Sequence, residues 1–346
     1  MRRTILTGLV FVIALGAYCG TWLYISEQSK AAITTWIAAM PKDRFTISQD
    51  NMRRGGFPFA IRWTIQAPSA ETRWMLGDLS VKARSLALWS EVWTPSKVWF
   101  RADKPQSSGH HTSTGRAWRM EMGSLLGMIK KTGRSAFEVE YTGTDPVLKE
   151  IISYDGTVTN RLIAEAKAVR GAARRTKWDV TSGELISHAT TIGLEDVKVP
   201  AIAEILDAET GNAQARLTLR GAVGSGSIED LVAWRDQGGV LELEELNIDW
   251  APLDFAFEGT LALDQQLRLL GAGTADMRGL PTLIDKLVDR GDIRNSEATI
   301  TKLALALLTR VAKDGGAAVV RLPLNAQDGK LRAGPFTLGR LTSIAR

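Results

Sequence analysis

Residues 55–68, GGFPFAIRWTIQAP, decide the fold class. From Phe57 to Ile65 every second residue is a large apolar one, and small or polar residues stand between them. This period of two is typical of a β-strand with one buried face. Pro58 favours a position at a sheet edge, and Pro68 ends the predicted strand. The stretch therefore predicts a long, half-buried strand near the start of the chain.

Further alternating segments follow along the chain, with Gly-rich turns between them. They lie at residues 79–83, 118–122, 137–141, 240–250, 253–263, 267–275 and 318–331. Short sequential strands joined by turns favour an antiparallel sheet over a wound parallel one. Residues 103–115 are rich in Ser, Gly, Pro and Thr and are predicted to be an exposed loop.

Short helices are predicted at residues 199–208, 228–236, 280–291 and 298–313. The third has apolar residues at helical spacing, and Gly291 is placed to end it. The sequence thus predicts an α+β fold of curved, mostly antiparallel β-sheet lobes with short packed helices. One N-terminal transmembrane helix precedes this fold.

The N-terminal helix is predicted from residues 5–25, which hold no charged residue. A run of about 20 apolar residues is long enough to cross a bilayer core of about 30 Å. Arg2 and Arg3 precede the run and Glu27 follows it. The positive-inside rule therefore places the N-terminus in the cytoplasm and the rest of the chain across the membrane.

A cleaved signal peptide is the alternative to a retained anchor. Signal peptides have apolar cores of about 7–15 residues, and no small-x-small cleavage site directly follows this longer run. Tyr18 precedes Cys19, whereas a lipoprotein signal would place a small residue before its cysteine. We therefore favour a retained, unlipidated anchor.

The predicted organisation has three parts. Residues 1–26 form the cytoplasmic tip and anchor, and residues 27–41 form a stalk helix. Residues 42–346 form an exported β-rich domain, which a change of composition divides into two lobes near residues 164–200.

Composition sets wide limits on function. The chain has 346 residues and a net charge of +5, a mildly basic balance that suits an anionic membrane surface. Its one cysteine excludes an intramolecular disulfide. Nucleic acid is not expected as a partner of an exported domain.

No catalytic, cofactor-binding or metal-binding residues are predicted, and no cofactor is expected. The histidines are the pair His110-His111 and the isolated His188, without other ligands at useful spacing. The sequence Gly224-Ser225-Gly226-Ser227 lacks the G-x-S-x-G spacing of a nucleophile turn. No phosphate loop or dinucleotide fingerprint occurs.

Two sets of residues are candidates for surface binding. A basic patch that could contact anionic lipid headgroups, or be a solvated helix face, is formed by Lys167, Arg170, Arg174, Arg175 and Lys177. Tryptophans that could line an apolar groove, or fill the core, are Trp63, Trp74, Trp89, Trp93 and Trp99. A curved sheet with one incompletely covered face would provide such a groove for a lipid chain.

Several short motifs occur in an order that is informative about family. They are Gly56-Phe57-Pro58-Phe59, Arg73-Trp74, residues 79–84, Trp234 with Gly238-Gly239, residues 248–253, residues 257–264, Leu322-Pro323-Leu324, Asp328-Gly329 and Gly334-Pro335. Together they resemble the bacterial domain-of-unknown-function family 2125 over almost the whole chain. Ala251 stands where the family usually has glycine.

The resemblance implies a membrane-anchored envelope protein of Gram-negative bacteria without an established activity. It is distantly similar to AsmA-like envelope proteins, whose sheet grooves are associated with lipid handling. No catalytic residue can be carried over from such a family.

The functional expectation is a non-enzymatic envelope protein that binds lipid-like ligands or supports envelope assembly. It would be a single-pass protein of the inner membrane, with its bulk in the periplasm and a lipid or an envelope protein as its partner. A periplasmic protein-interaction scaffold and an envelope hydrolase of unknown class are the alternatives.

Overall fold

The structure is a computed structural model. It describes residues 2–39, 45–74, 77–111, 116–133, 136–154, 157–180, 183–206, 208–221, 227–310, 319–334 and 336–344. Within these residues the helices are α1 (Arg2–Ala38), α2 (Pro200–Leu206), α3 (Ile228–Asp236), α4 (Leu280–Asp289) and α5 (Asn295–Leu308).

The strands of the first half are β1 (Phe45–Gly55), β2 (Ala60–Trp74), β3 (Gly77–Lys82), β4 (Ser85–Glu91), β5 (Lys97–Asp103), β6 (Gln106–His111), β7 (Ala117–Glu121), β8 (Ser124–Lys131), β9 (Phe137–Thr144), β10 (Val147–Tyr154) and β11 (Thr157–Glu165). The later strands are β12 (Ala168–Val180), β13 (Gly183–Val197), β14 (Gly211–Arg220), β15 (Val240–Trp250), β16 (Leu253–Leu263), β17 (Leu269–Arg278), β18 (Thr309–Arg310), β19 (Val319–Gln327), β20 (Lys330–Ala333) and β21 (Phe336–Arg340).

All these strands belong to one antiparallel sheet that forks at β2. The strand β1 pairs along one edge of β2. On the other edge, the first half of β2 pairs with β4 and the second half pairs with β3. A short arm continues through β6, β7 and β10 to β11. A long arm continues through β5, β8, β9, β12, β13, β14, β15, β16, β17, β19 and β20 to β21.

A line of bends separates the two arms. At Ala67, Lys104 and Asp145 the backbone takes positive φ angles of 45°, 46° and 49°, and a proline follows each of them. The amide of Ala67 donates to the carbonyl of Arg84 over 3.0 Å. The amide of Lys104 donates to Gly123, and that of Asp145 donates to Lys167, each over 3.0 Å. Because hydrogen bonds continue across the bends, the chain passes between the arms without ending its sheet ladder.

Helices α2 and α4 pack against strands of the long arm. Leu206 of α2 and Leu283 of α4 belong to a cluster that includes Leu194, Ile248 and Trp250 of the long arm. Helix α2 also contacts β11 of the short arm. The apolar side of the long arm therefore faces toward the short arm where α2 lies.

Helix α3 packs near the opposite ends of the neighbouring strands. Ser227 caps it by accepting from the Asp230 amide, and the Asp230 carboxylate accepts from the Ser227 amide in return. Such a box satisfies backbone donors that a helix start leaves free. Leu231 and Trp234 then pack against Leu263 and Leu267.

The predicted fold class is confirmed: an apolar N-terminal helix precedes a large, open, antiparallel sheet with short helices. The helix predicted at 228–236 and the strand at 253–263 have the observed bounds. Helix α2 also lies where a helix is predicted, although it ends two residues earlier than expected. Helix α4 begins at Leu280 as predicted, and Gly291 follows its C-cap with a φ of 79°.

Three local predictions are wrong. Phe57-Pro58-Phe59 forms the turn before β2 rather than its first residues, because the strand begins at Ala60. Part of the predicted loop at 103–115 is β6, which pairs on both sides. The basic stretch near 162–177 is β-strand rather than helix, because β12 is bonded to β9 and β13.

Across residues 164–200 the sheet is continuous. Strand β13 pairs with β12 on one side and with β14 on the other. The helix α1 likewise runs through residue 26 without a break.

Candidate functional site

The most extended feature of the long arm is one apolar side, built from rows of residues that face each other across successive strands. The first row consists of Ile65, Leu86, Ala102, Leu125, Gly143, Val169, Leu194, Ala213, Ile248, Phe255, Met277 and Val320. The next row on the same side consists of Trp63, Leu88, Phe100, Gly127, Tyr141, Gly171, Ile192, Ala215, Leu246, Phe257, Ala275 and Leu322. We call these two rows the apolar face.

Large rings on the apolar face lie over glycines of the neighbouring strand. A Cβ added to Gly171 would lie 2.2 Å from Tyr141 Cζ, and one added to Gly127 would lie 2.4 Å from Phe100 Cζ. Burial raises the pKa of the Tyr141 hydroxyl, because the ionised form would lose its hydration. Aromatic rings thus fill the space that these glycines leave, and the face stays apolar without a gap.

The apolar face is only partly covered. Trp63 and Ile65 at the β2 end are buried, as are Ala275 and Val320 near the other end. Between them the side chains of β12 to β15, such as Ile192, are half-buried. Among the described residues, the helices contact this face through the clusters of α1 at β2 and of α2 and α4 at β13 to β16. In the second row, Ile192, Ala215 and Leu246 of these strands belong to neither of these helix clusters.

The opposite side of the long arm is polar and its charges are paired across strands. Arg321 donates to Asp276, with its Nε 2.7 Å from Oδ1, and Arg278 Nη1 lies 2.7 Å from Asp254 Oδ2. The Asp276 carboxylate raises the pKa of the Arg321 guanidinium by hydrogen bonding and by its charge. A depression of about 320 Å³ lies among these pairs. Because two of its carboxylates are paired with arginines across neighbouring strands, we read this depression as the solvated, ion-paired side of the sheet.

The helix α1 meets the apolar face at its β2 end. Trp22 Nε1 donates to the Ala60 carbonyl over 3.1 Å, and Trp63 Nε1 donates to Ser29 Oγ over 2.9 Å. Trp22 is 5% exposed and Ser26 is 0% exposed. We call this contact the junction. Its residues on α1 recur at intervals of three or four, so they form one stripe along the helix.

The junction also contains a charged pair. Arg54 Nη1 lies 2.7 Å from Glu27 Oε1 and 3.1 Å from Ser26 Oγ. The Arg54 guanidinium stands 5.7 Å from the centre of the Trp22 ring. The helix is therefore held by hydrogen bonds and a cation–π contact in addition to apolar packing.

The structure distributes the five candidate tryptophans over different surfaces. Trp63 is buried on the apolar face. Trp89 and Trp99 stack on the polar side with centroids 6.4 Å apart, and Arg62 lies 5.1 Å over Trp89. Trp93 is exposed beside the start of β2, and the Trp74 side chain lies outside the described residues. These rings do not line one groove; smaller aliphatic residues form most of the apolar face.

The predicted basic patch is also divided. Lys167, Arg170 and Arg174 each pair with an acid: Asp196 at 3.5 Å, Glu195 at 2.9 Å and Glu138 at 3.2 Å respectively. Strand alternation turns Arg175 to the side opposite Arg174. The Lys177 side chain lies outside the described residues. The patch is therefore not one basic surface, because its residues lie on both sides of a strand and most carry a paired charge.

The histidines do not converge. His110 is exposed on β6, and the His111 side chain lies outside the described residues. Burial, and then the charge of Arg175, lower the pKa of His188. Within the described residues no group of three or more His, Cys, Asp or Glu side chains could hold a metal ion. Of the Gly224–Ser227 motif only Ser227 is described, and it caps α3.

Sequence reasoning missed the apolar face as a continuous surface and missed the junction. The period of two in each strand showed that a face was apolar, but not which strands lie side by side. A sequence signal for the junction did exist. Residues able to form hydrogen bonds recur at helical spacing within the apolar helix, namely Tyr18, Trp22, Ser26 and Ser29.

The N-terminal helix is long and apolar enough over Leu6–Ala38 to cross a membrane, a property that signal sequences near the N-terminus share. A family model described as an uncharacterized protein conserved in bacteria (DUF2125) matches residues 22–342. Comparison with curated proteins gave no match, and comparison with solved structures gave none either.

Proposed function

This chain belongs to the DUF2125 family of uncharacterized bacterial proteins, and from that premise we propose that it is a membrane-anchored envelope protein that binds lipid-like ligands on its apolar face. In this proposal α1 is a retained single-pass anchor in the inner membrane, with the N-terminus in the cytoplasm and the sheet in the periplasm. The protein is not an enzyme. The likeness to AsmA-like envelope proteins, whose sheet grooves handle lipids, is part of the same proposal.

The observation that carries the proposal is the apolar face and its incomplete cover. Its middle side chains are half-buried rather than fully packed, and a contiguous, incompletely covered apolar surface marks a binding site in soluble domains. An acyl chain laid on the face would gain about 0.8 kcal/mol for each CH₂ group removed from water. Apolar side chains make up nearly all of these two rows, so we propose that the ligand is recognised mainly by its apolar chain.

The junction adds a route for the ligand. Trp63 belongs both to the apolar face and to the cluster with Trp22 of α1. A lipid that leaves the bilayer along α1 would therefore meet the apolar face at Trp63, beside the Arg54–Glu27 pair of the junction. This continuity favours a ligand from the membrane over a soluble one.

Native mass spectrometry of the full chain, extracted gently from bacterial membranes, tests the proposal. The protein should retain co-purified lipid. The variant Ile192→Glu puts a charge in the middle of the apolar face and should lose that lipid. The matched control Gln214→Glu puts the same charge on the exposed, opposite side of the adjacent strand and should keep it. Equal lipid in both variants, or none in the parent, would refute lipid binding. A protein captured in place of lipid would favour the scaffold alternative.

A further inference from the structure

The turn before β2 and the loop after β4 expose three aromatic rings beside α1. Phe57 is 53% exposed, Phe59 is 66% exposed and Trp93 is 61% exposed. The rings of Phe59 and Trp93 have centroids 6.3 Å apart. We call these three residues the aromatic tip. Aromatic rings exposed together in this way are typical of residues at a membrane interface.

From this arrangement we infer that the aromatic tip is a second membrane contact, inserted into the interfacial region of the bilayer that α1 crosses. The inference rests on the proposed anchor. It goes further than the anchor because it places part of the sheet itself in the lipid.

The position of the tip along α1 supports the inference. Tyr18 Oη donates to the Pro58 carbonyl over 2.5 Å, and the Trp22 ring packs edge-on against Phe57 with centroids 5.3 Å apart. Both contacts fix the tip at the level of residues 18–22 of the helix. That level lies within the apolar run 5–25, before the charged Glu27.

The length of α1 before its first contact with the sheet also indicates that the aromatic tip lies at the bilayer. Side chains from residue 6 to residue 17 are all exposed, and contact with the sheet begins at Tyr18. Twelve helical residues span about 18 Å at about 1.5 Å per residue. A hydrocarbon core of about 30 Å needs about 12 Å more. The bilayer must then extend past Tyr18, to a depth that includes whatever Tyr18 and Trp22 contact.

The backbone of the tip is suited to a region with little water. Unsatisfied carbonyl groups are costly in lipid. The Gly56 carbonyl accepts from the Ala60 amide, and the Phe59 carbonyl accepts from the Val92 amide. The carbonyls of Pro58 and Ala60 accept from the two aromatic side chains of α1. Pro58 has no amide hydrogen to satisfy.

Charged residues limit the depth. Glu91 pairs with Ala60 in the ladder and accepts from Thr94 Oγ1 over 3.0 Å. Arg54 pairs with Glu27 at the outer end of the helix run. These groups would stay among the lipid headgroups, so the rings of the tip enter the upper part of the acyl-chain region while the charges remain outside it.

Fluorescence quenching in a reconstituted membrane tests the inference. The full chain, with Cys19→Ser, is placed in vesicles of phosphatidylethanolamine and phosphatidylglycerol. An environment-sensitive dye is attached through Phe59→Cys, Ile13→Cys or Leu338→Cys, and all three positions are exposed in the structure. Lipids with a nitroxide near the top of the acyl chain should quench most of the emission at position 59. They should leave position 338 unquenched, although it replaces an equally apolar surface residue.

The remaining outcomes separate the two proposals. A dye at position 13 that is reached by a nitroxide deep in the acyl chain, with no quenching at position 59, would refute the aromatic tip and leave the anchor intact. Absence of quenching at position 13 would remove the anchor and the tip together. The measurement reads depth and not bound lipid, so the failure of ligand binding in mass spectrometry would not produce either result.

Discussion

Trp63 Nε1 donates a hydrogen bond to Ser29 Oγ over 2.9 Å, and this bond joins the apolar face of the sheet to the N-terminal helix. The two residues are separated by 34 positions in the chain. Trp63 lies in the row that continues across the long arm, so the bond fixes where the helix begins to cover that row.

Trp22→Ala should weaken the junction strongly. The substitution removes a buried ring, the hydrogen bond to the Ala60 carbonyl and the contact with Arg54. We expect a loss of about 3–5 kcal/mol in the free energy of unfolding. Denaturant unfolding of the full chain in detergent micelles, followed by circular dichroism, measures it. Trp36→Ala is the matched control, because Trp36 is 63% exposed on the same helix, and it should change stability by less than about 0.5 kcal/mol. Similar losses from both would contradict the junction.

Gly171→Val should destabilise the apolar face, whereas Gly193→Val should not. A Cβ at Gly171 would stand 2.2 Å from the Tyr141 ring, but nothing lies within 4 Å of a Cβ at Gly193 on the next strand. Forcing a side chain against a packed ring costs about 1–3 kcal/mol. Thermal unfolding of both variants measures the difference. Adding Tyr141→Ala to Gly171→Val should recover part of the loss, and no recovery would show that the ring is not the obstacle.

Lys104→Gly and Lys104→Val should shift stability in opposite directions. Lys104 has a φ of 46° at a bend, a conformation that a β-branched side chain disfavours and glycine adopts readily. The two variants should differ by about 1–2 kcal/mol, with the glycine variant the more stable. Chemical denaturation of both proteins under one set of conditions gives this difference. A valine variant as stable as the glycine one would mean that the bend does not need the positive φ.

His188 should make the folded protein less stable in mild acid. Its folded pKa is lowered by burial and then by Arg175. The unfolded chain therefore binds the proton more readily than the folded one. The stability associated with neutral His188 is fully present above its ordinary pKa of about 6.5 and is lost as the pH falls through the lowered folded pKa. Unfolding measured across this range should show the slope, and His188→Gln should remove it.

Arg175→Gln provides the matched variant for that experiment. It removes the positive charge that disfavours protonation of His188, but it leaves the histidine in place. The stability loss should still begin near the ordinary pKa of about 6.5, but it should stop at a higher pH and be smaller in total than in the parent. A total loss identical to that of the parent would mean that Arg175 does not act on His188.

Local features of the chain were predictable from sequence alone. The uncharged run before Glu27 predicted an apolar helix, because no soluble surface helix is apolar on all sides. The alternation in residues 253–263 predicted a strand, and the helix predicted at 228–236 has the bounds of α3. In each case the signal lies within a short stretch of sequence, where backbone preference and the periodicity of the side chains act directly.

The tertiary structure decided which surfaces these elements form. Alternation placed Trp63 and Trp89 on faces of their own strands, but only the register Arg62↔Trp89 showed that they lie on opposite sides of the sheet. The bend at Asp145 depends on bonds to Lys167, a residue in another strand. The contact between Tyr18 and Pro58 spans 40 positions. Pairings over such distances are selected by packing of the whole sheet, so no local pattern could specify them.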